Sequence, residues 1–572
     1  MTITDAPSAA PSPAELDADL AELRAGSARW AALSLVERAR LLVDACTATG
    51  RVAREWADAA ATAKGVDPGS SLAGEEWLTG PYGTLDALDA YATSLIGLAR
   101  HGTTLTGARF VRAPGGRIAV RVLPEGLQQW VLFHGFQADV WMRPGTTEAD
   151  VRAAAGLGAR TPGQDGGVAL ILGAGNITSI GPLDLLYELV AHNRAGLLKL
   201  NPTFDALLPV YRAAFAPLVE LGVARIVTGD GAVGAYLTQH DGVDKVHITG
   251  SAATHDRIVW GDGEEAARRR AAGEPRLAKP ITSELGGVAP VIVVPGRWSR
   301  ADLRYQAQHV ATMRLHNAGH NCIAAQDLVV SGDWEQKDAF LAELRAVLRE
   351  IAPRAPWYPG SAAKVAAARA DHAGALELGD RLLVDAAAGS GDELFRTEYF
   401  APVLGVTELP GTGLDFLRRA VAFANDELEG TLGANVLIAP AERRALGSAF
   451  GDAIAELRYG TIAVNAWTGV GFGFARGVWG GFPGHTLEDV GSGIGVVHNA
   501  HLLADPERMV VTGPFRPFPR SIAGGELALF PTPPWFVTNR GALETARRLT
   551  AYAAAPSWGR LLRTLLAAFR RP

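Results

Sequence analysis

A chain of 572 residues, 48% of them hydrophobic, is too long for a single core and is expected to divide into two or three lobes. Its net charge of −6 is modest and its basic residues are scattered over most of the length, which argues against the concentrated basic face of a nucleic-acid binder. Two cysteines, Cys46 and Cys322, are too few for a secreted protein of this size and point to a reducing, cytoplasmic compartment.

The opening stretch, MTITDAPSAAPSPAELDADL, is acidic, lacks early Arg or Lys and has no apolar run, so it is not expected to act as a signal peptide. Residues 1–13 are rich in Pro, Ala and Ser and are expected to be disordered. From about Ala14 to Ala63 the pattern is helical, with Leu33, Leu35, Ala39, Leu42 and Ala45 on one face, and a second helical stretch covers 83–99. The period then changes. Arg117–Val122, Leu127–Phe133 and Ala138–Met142 read as strands of a small antiparallel sheet, with Pro124-Glu-Gly126 as a turn.

From Gly167 the strands Val168–Leu172, Leu197–Leu200, Arg225–Thr228 and Lys245–Thr249 alternate with helices opening near Pro182, over Phe204–Glu220 and from Ala232. Short apolar strands alternating with helices predict a parallel doubly wound sheet, with ligands beyond the carboxyl ends of its strands. The charged stretch 261–274 reads as a solvated surface excursion. A second α/β series follows, with strands near 290–294, 326–331, 382–385, 403–408, 432–438 and 461–465. No eighteen consecutive residues are apolar, so no transmembrane helix is expected.

The tail after Ala500 is Pro- and Phe-rich and ends in a helix that sets Trp558, Leu561, Leu562, Leu565, Leu566 and Phe569 on one face, with Arg560, Arg563, Arg570 and Arg571 mainly elsewhere. Two uses fit this stripe. It can pack on the protein's own body or a partner subunit, or it can make a peripheral contact with an anionic membrane surface.

Cys322 lies in Asn317-Ala-Gly-His-Asn-Cys-Ile323, just before an apolar strand. A lone cysteine among apolar neighbours is commonly a core thiol. Here Gly319 lets the backbone pass close to a ligand, and His316, Asn317, His320 and Asn321 lie within six positions. An imidazolium or a helix N-terminus nearby would lower the thiol pKa and make a thiolate available. Cys46, on an amphipathic helix beside Leu41, Leu42 and Val43, reads as structural. Glu284, in Thr282-Ser-Glu-Leu-Gly-Gly287, is a candidate general base, or else a cap or a surface charge.

Together, Glu284-Leu-Gly-Gly287 and Asn317-x-Gly-x-x-Cys322 resemble the paired signatures of the aldehyde dehydrogenase superfamily. Four further matches follow in order: Asn176 after the first parallel strand, Lys199, Thr249-Gly-Ser251, and Glu398-Tyr-Phe-Ala-Pro-Val403. The resemblance runs from about residue 30 to 500. It implies a Rossmann-type nucleotide domain (14–116 and 146–285), an α/β catalytic domain (286–480), and a small bridging β-sheet built from 117–145 and 481–512, with 513–572 as a C-terminal extension. The bridging strands are expected to pair with a neighbouring subunit of a homodimer or homotetramer, because an apolar edge must be covered.

The resemblance also implies roles. Cys322 would be the nucleophile, Glu284 the base and Asn176 an oxyanion donor. Lys199, Gly229, Gly250, Ser251, Glu398 and Phe400 would bind NAD or NADP, and no metal is implied. The reaction would be oxidation of an aldehyde to its acid through a thioester. Trp467, Phe472, Phe474 and Trp479 would line an apolar substrate tunnel, unless they pack a domain interface. Departures are His320 where the family commonly has Gln, Pro202 where many NAD-specific members have Glu, and His255 in place of a glycine. The alternatives are a CoA-acylating relative, which often lacks the base that Glu284 supplies, and a non-catalytic scaffold of the same fold.

Overall fold

The computed structural model describes residues 10–570. Residues 1–9, most of the segment expected to be disordered, lie outside that range, and the first helix opens at Pro13 behind a Ser12/Glu15 capping box. The long N-terminal helical pattern is two helices, Pro13–Ala32 and Leu35–Ala63. Ser34 breaks it by capping the second, with Glu37 reaching back to the Ser34 backbone.

A five-stranded parallel sheet has the spatial order Ala224–Val227, Ala195–Lys199, Val168–Leu172, Lys245–Gly250 and Ile281–Leu285. Leu170 stands opposite Leu197 on one side and Val246 on the other. These strands are nearly continuous apolar runs because helices cover both faces. The last strand, which carries Glu284, was not anticipated; its polar Thr282-Ser-Glu reads as a loop, yet Ser283 exchanges backbone hydrogen bonds with Ile494.

The second sheet has eleven strands. Its larger part runs Thr461–Val464, Gly433–Leu437, Ala289–Val293, Ala325–Ser331, Val403–Leu409 and Arg381–Ala386, all parallel, with the short Leu376–Leu378 at the edge. At the other end the bridging strands Arg109–Ala113, Arg117–Leu123 and Gln137–Met142 join it through Pro506–Thr512. That strand pairs antiparallel with Gln137–Met142 and parallel with Thr461–Val464. The inner edge of the bridging strands is covered by this same chain. The outer edge strand carries Arg109 and Arg112, charges that discourage further pairing.

Leu127–Leu132 is a helix, not the expected strand. Leu127, Trp130 and Val131 follow the helical period, and Trp130 N–H donates to Gly126 O at 2.9 Å. The 261–274 excursion contains a helix, Gly263–Ala272, with no buried residue. The tail crosses the lobe built on the larger sheet, where Phe515 packs edge-on against Trp298 at 5.1 Å and its carbonyl accepts a 2.6 Å hydrogen bond from Gln306. Phe515→Ala should lower stability by about 3–5 kcal/mol, read as a reduced urea midpoint. The exposed Phe518→Ala should change it by no more than about 0.5 kcal/mol.

Candidate active site

Helix Arg300–Leu315 ends at a turn in which Asn317 (φ 55°), Ala318 (φ 55°) and Gly319 (φ 82°) are all left-handed. Two of these carry a Cβ that disfavours this region. The buried Arg314 guanidinium holds the turn by donating to Gly319 O (2.6 Å), Ala325 O (3.1 Å) and Val403 O (3.2 Å). From the N-terminal lobe, Glu75 accepts the Asn317 N–H at 3.1 Å while paired with Arg354 at 2.9 Å. The Asn317 side chain donates to Asn176 O and His320 O, each at 3.0 Å. A side chain on Gly319 would crowd Arg314 and the Ala401 backbone. The turn delivers Cys322 to the mouth of strand Ala325–Ser331.

There the Cys322 thiol donates to Glu284 Oε1 at 3.3 Å, and Trp479 Nε1 donates to the same oxygen at 2.9 Å. Burial pushes the Glu284 carboxyl up to about 7, opposed by these two hydrogen bonds. Burial likewise pushes the Cys322 thiol well above its ordinary range, reinforced by the charges of Glu284 and Glu398. The anticipated imidazolium is absent from this neighbourhood: burial lowers His316 to about 4 and His320 to about 3, so both are neutral at pH 7. His320 hydrogen-bonds Ser361 Oγ at 2.9 Å and packs among Trp357, Tyr358 and Phe400. It fills space behind the nucleophile.

A cavity of about 640 Å³ opens beyond the carboxyl ends of the small sheet. Its walls bring together Asn176, Lys199, Gly250, Ser251, Glu284, Cys322, Glu398 and Phe400, which the sequence separates by up to 224 positions. Gly229 is not on the wall; it makes the turn (φ 144°) that places Asp230 and Gly231 there. Trp467 packs on His316 at 4.7 Å beneath the cysteine turn, and Phe474 meets Phe133 at 4.9 Å beside a second cavity of about 410 Å³. Neither lines the cleft that holds Cys322. Arg257, Arg276, Tyr358 and Lys364 do line it and were missed. Arg257 lies six positions past Ser251 on the helix that Ser251 caps, which could have suggested it; Lys364 has no local signal.

A sequence model of the aldehyde dehydrogenase family matches residues 206–368. Aminoacetaldehyde dehydrogenase of Pseudomonas aeruginosa is 31% identical over 287 residues, 46% of this chain and 51% of its own length. D-glyceraldehyde dehydrogenase (NADP(+)) of Thermoplasma acidophilum is 33% identical over 135 residues, 23% of this chain and 24% of its own. This chain thus spans about half the length of the first relative and about a quarter of the second. Among solved structures, gamma-glutamyl-gamma-aminobutyraldehyde dehydrogenase from Burkholderia cenocepacia superposes with a TM-score of 0.58 at 19% identity, over 88% of this chain and 89% of that one. NADP-dependent glyceraldehyde-3-phosphate dehydrogenase from Bacillus halodurans, complexed with NADP, gives 0.56 at 19%, over 88% and 92%.

The chain has the aldehyde dehydrogenase fold, and residues 206–368 match that family's sequence model.

The departures from the resemblance are accommodated locally. Pro202 opens a turn capped by Asn201, whose side chain accepts the Thr203 N–H at 3.1 Å. His255 is buried in helix Ala252–Trp260 and meets Asp256 at 3.2 Å. The site itself makes a measurable statement about thiol reactivity. In a Cys46→Ser background, alkylation of Cys322 by iodoacetamide should be slow at pH 7 and rise only above pH 9. Glu284→Gln removes a negative charge beside the thiol, so the profile should shift to lower pH; an unchanged or higher midpoint would show that the carboxylate does not act on the thiol.

Proposed function

We propose that this chain catalyses the NAD(P)-dependent oxidation of an aldehyde to the carboxylic acid, with Cys322 as nucleophile. The observation that carries the reading is the 3.3 Å pairing of Cys322 with a carboxyl poised near pH 7, at the end of a nucleotide-sized cleft. The cleft suits a dinucleotide on its own features. Glu398 Oε1 is buried without a hydrogen-bond partner, as a carboxylate awaiting ribose hydroxyls would be. Any Cβ on Gly286 would collide with that carboxylate, so the glycine keeps the approach open. Lys199 and Ser251 supply donors at the ends of the parallel strands, where a nucleotide binds such a sheet. Homologues and neighbours that use NAD or NADP support the same assignment.

The chemistry of the chain's own groups follows. Glu284 takes the thiol proton as Cys322 Sγ bonds the aldehyde carbon. The Asn176 side-chain amide and the Cys322 backbone N–H stabilise the oxyanion. The nicotinamide, when bound, supplies the two-electron acceptor. Glu284 gives that first proton to solvent and then draws a second from water; the hydroxyl attacks the thioester carbon, the C–S bond breaks to release the acid, and the second proton returns to Cys322 Sγ. A soluble base with a pKa near 4.5 would be too weak to do this efficiently at neutral pH; burial is what makes Glu284 competent.

Reduced cofactor formation at 340 nm across a panel of apolar, charged and phosphorylated aldehydes, with and without CoA, tests the assignment. Cys322→Ala should abolish turnover while cofactor still quenches tryptophan fluorescence. Glu284→Gln should slow both thiol attack and thioester hydrolysis, so steady-state turnover should fall at least about a hundredfold with no burst of reduced cofactor. The catalytic form of Glu284 is the carboxylate, so the wild-type steady-state rate should fall about tenfold per pH unit below about 7. Turnover that requires CoA would instead assign an acylating reaction, and no turnover with any aldehyde would refute the proposal.

A further inference from the structure

Half of the apolar stripe on the terminal helix Trp558–Arg570 is used internally. Leu561 and Thr564 are buried, and Leu565 packs against the same core. The other half, Trp558, Leu562, Leu566 and Phe569, faces outward. Helix Leu127–Leu132, against which the terminal helix packs, adds exposed Leu127 and Trp130. The loop between them in space adds Phe518, Ile522, Leu527 and Leu529. The pieces touch: Phe518 meets Phe569 at 5.8 Å, Leu529 N–H donates to His134 at 3.1 Å, and His134 packs on Trp130 at 4.6 Å.

This gathering is selective. Among the described residues thirteen large apolar side chains are exposed, and all but Val36, Val43 and Leu376 belong to this one face, at 38–70% exposure. Scattered exposed leucines need no explanation, whereas a contiguous patch marks an interaction surface.

Charge decides which surface. Residues 513–572 hold nine arginines and two glutamates, a local charge of +7 in a chain whose total is −6. A cleft of about 650 Å³ beside the patch is walled by Arg540, Arg547, Arg548, Arg563 and Arg570, with Glu544 its one acidic residue. Glu544 is taken by Arg548 at 2.6 Å, and Arg540, Arg563 and Arg570 have no carboxylate partner among the described residues. Arg563 and Arg570 stand three residues before and four after Leu566, so they border the apolar stripe on the helix surface.

From this adjoining apolar face and unpaired arginine cleft we infer that the chain docks on an anionic lipid surface, the apolar side chains entering the interface and the arginines holding headgroup phosphates. A second copy of this chain would bring an equally basic face into the same contact and be repelled. The helix has 13 residues and no helix among those described is long and apolar enough to cross a bilayer, so the contact is parallel to the membrane plane. This surface does not depend on the proposed reaction.

The test is sedimentation of the full chain with vesicles of equal phosphatidylglycerol and phosphatidylcholine, and with phosphatidylcholine alone. The wild type should pellet with the anionic vesicles only, less so at high salt. The triple variant Trp558→Ser, Leu562→Ser, Leu566→Ser should lose at least about tenfold in partition. Arg540→Glu, Arg563→Glu, Arg570→Glu should lose on the order of a hundredfold. Both variants should melt within a few degrees of wild type, because none of the six residues is buried. Equal pelleting of wild type and variants, or pelleting with neutral vesicles, would overturn the inference. So would self-association without lipid that the serine variant abolishes, which would make the face a contact between copies. Binding of inorganic phosphate to the arginine cleft without vesicle binding would make it a small-anion site instead.

Discussion

The left-handed turn at Asn317, Ala318 and Gly319 would not hold itself, and the buried Arg314 guanidinium is the constraint that keeps it in place. The two non-glycine residues cost roughly 1–2 kcal/mol each in that region. Three carbonyls accept from the guanidinium, and hydrogen bonds to a charged group contribute about 1.5–3 kcal/mol apiece, so the turn is over-determined. Burial lowers Arg314 to about 9, still above neutrality, so the charge that organises those carbonyls persists at pH 7. Glu75 adds a second restraint from a different lobe, which ties the geometry of the nucleophile to the packing of the N-terminal helices.

The same burial that makes the turn rigid sets the protonation states around it. The thiol, both histidines and two carboxyls are all pushed toward their neutral forms. A thiolate is therefore not stored in the resting site. Reactivity rests on transfer of one proton across 3.3 Å, from a thiol held high to a carboxyl raised to meet it. Trp479 keeps that carboxyl from rising further, and its indole is spent on this contact.

The parts of the site that were legible in the sequence are those written in short motifs: Cys322 with its glycine, Glu284 with its glycine pair, Asn176 after a strand, and Glu398 before Phe400. Contacts that join distant segments were not. Trp479 reaches Glu284 across 195 positions, and Arg354 reaches Glu75 across 279. Protonation was misread because a histidine beside a cysteine has the same spelling whether it is solvated or buried, and only burial decides its charge. The helix at Leu127–Leu132 was misread because a seven-residue stretch with only Gln128 and Gln129 polar fits either period. Most strands of both sheets were placed within two residues, since their apolar runs are bounded by glycine, proline or charge.

One feature of the larger sheet bears on how the chain comes to be folded. Strand Gln137–Met142 pairs with Arg117–Leu123 on one edge but finds the partner of its other edge only in Pro506–Thr512, and 364 residues separate Met142 from Pro506. At ribosomal speeds of 5–20 residues per second, that partner emerges roughly 20 to 70 seconds later. For this interval the nascent polypeptide offers an unsatisfied ladder of backbone amides and carbonyls, the form of surface that recruits chaperones or pairs wrongly with a neighbouring nascent chain. Closure inside one molecule then makes completion of the sheet a first-order event, indifferent to dilution. Its vulnerability is a matter of timing during synthesis.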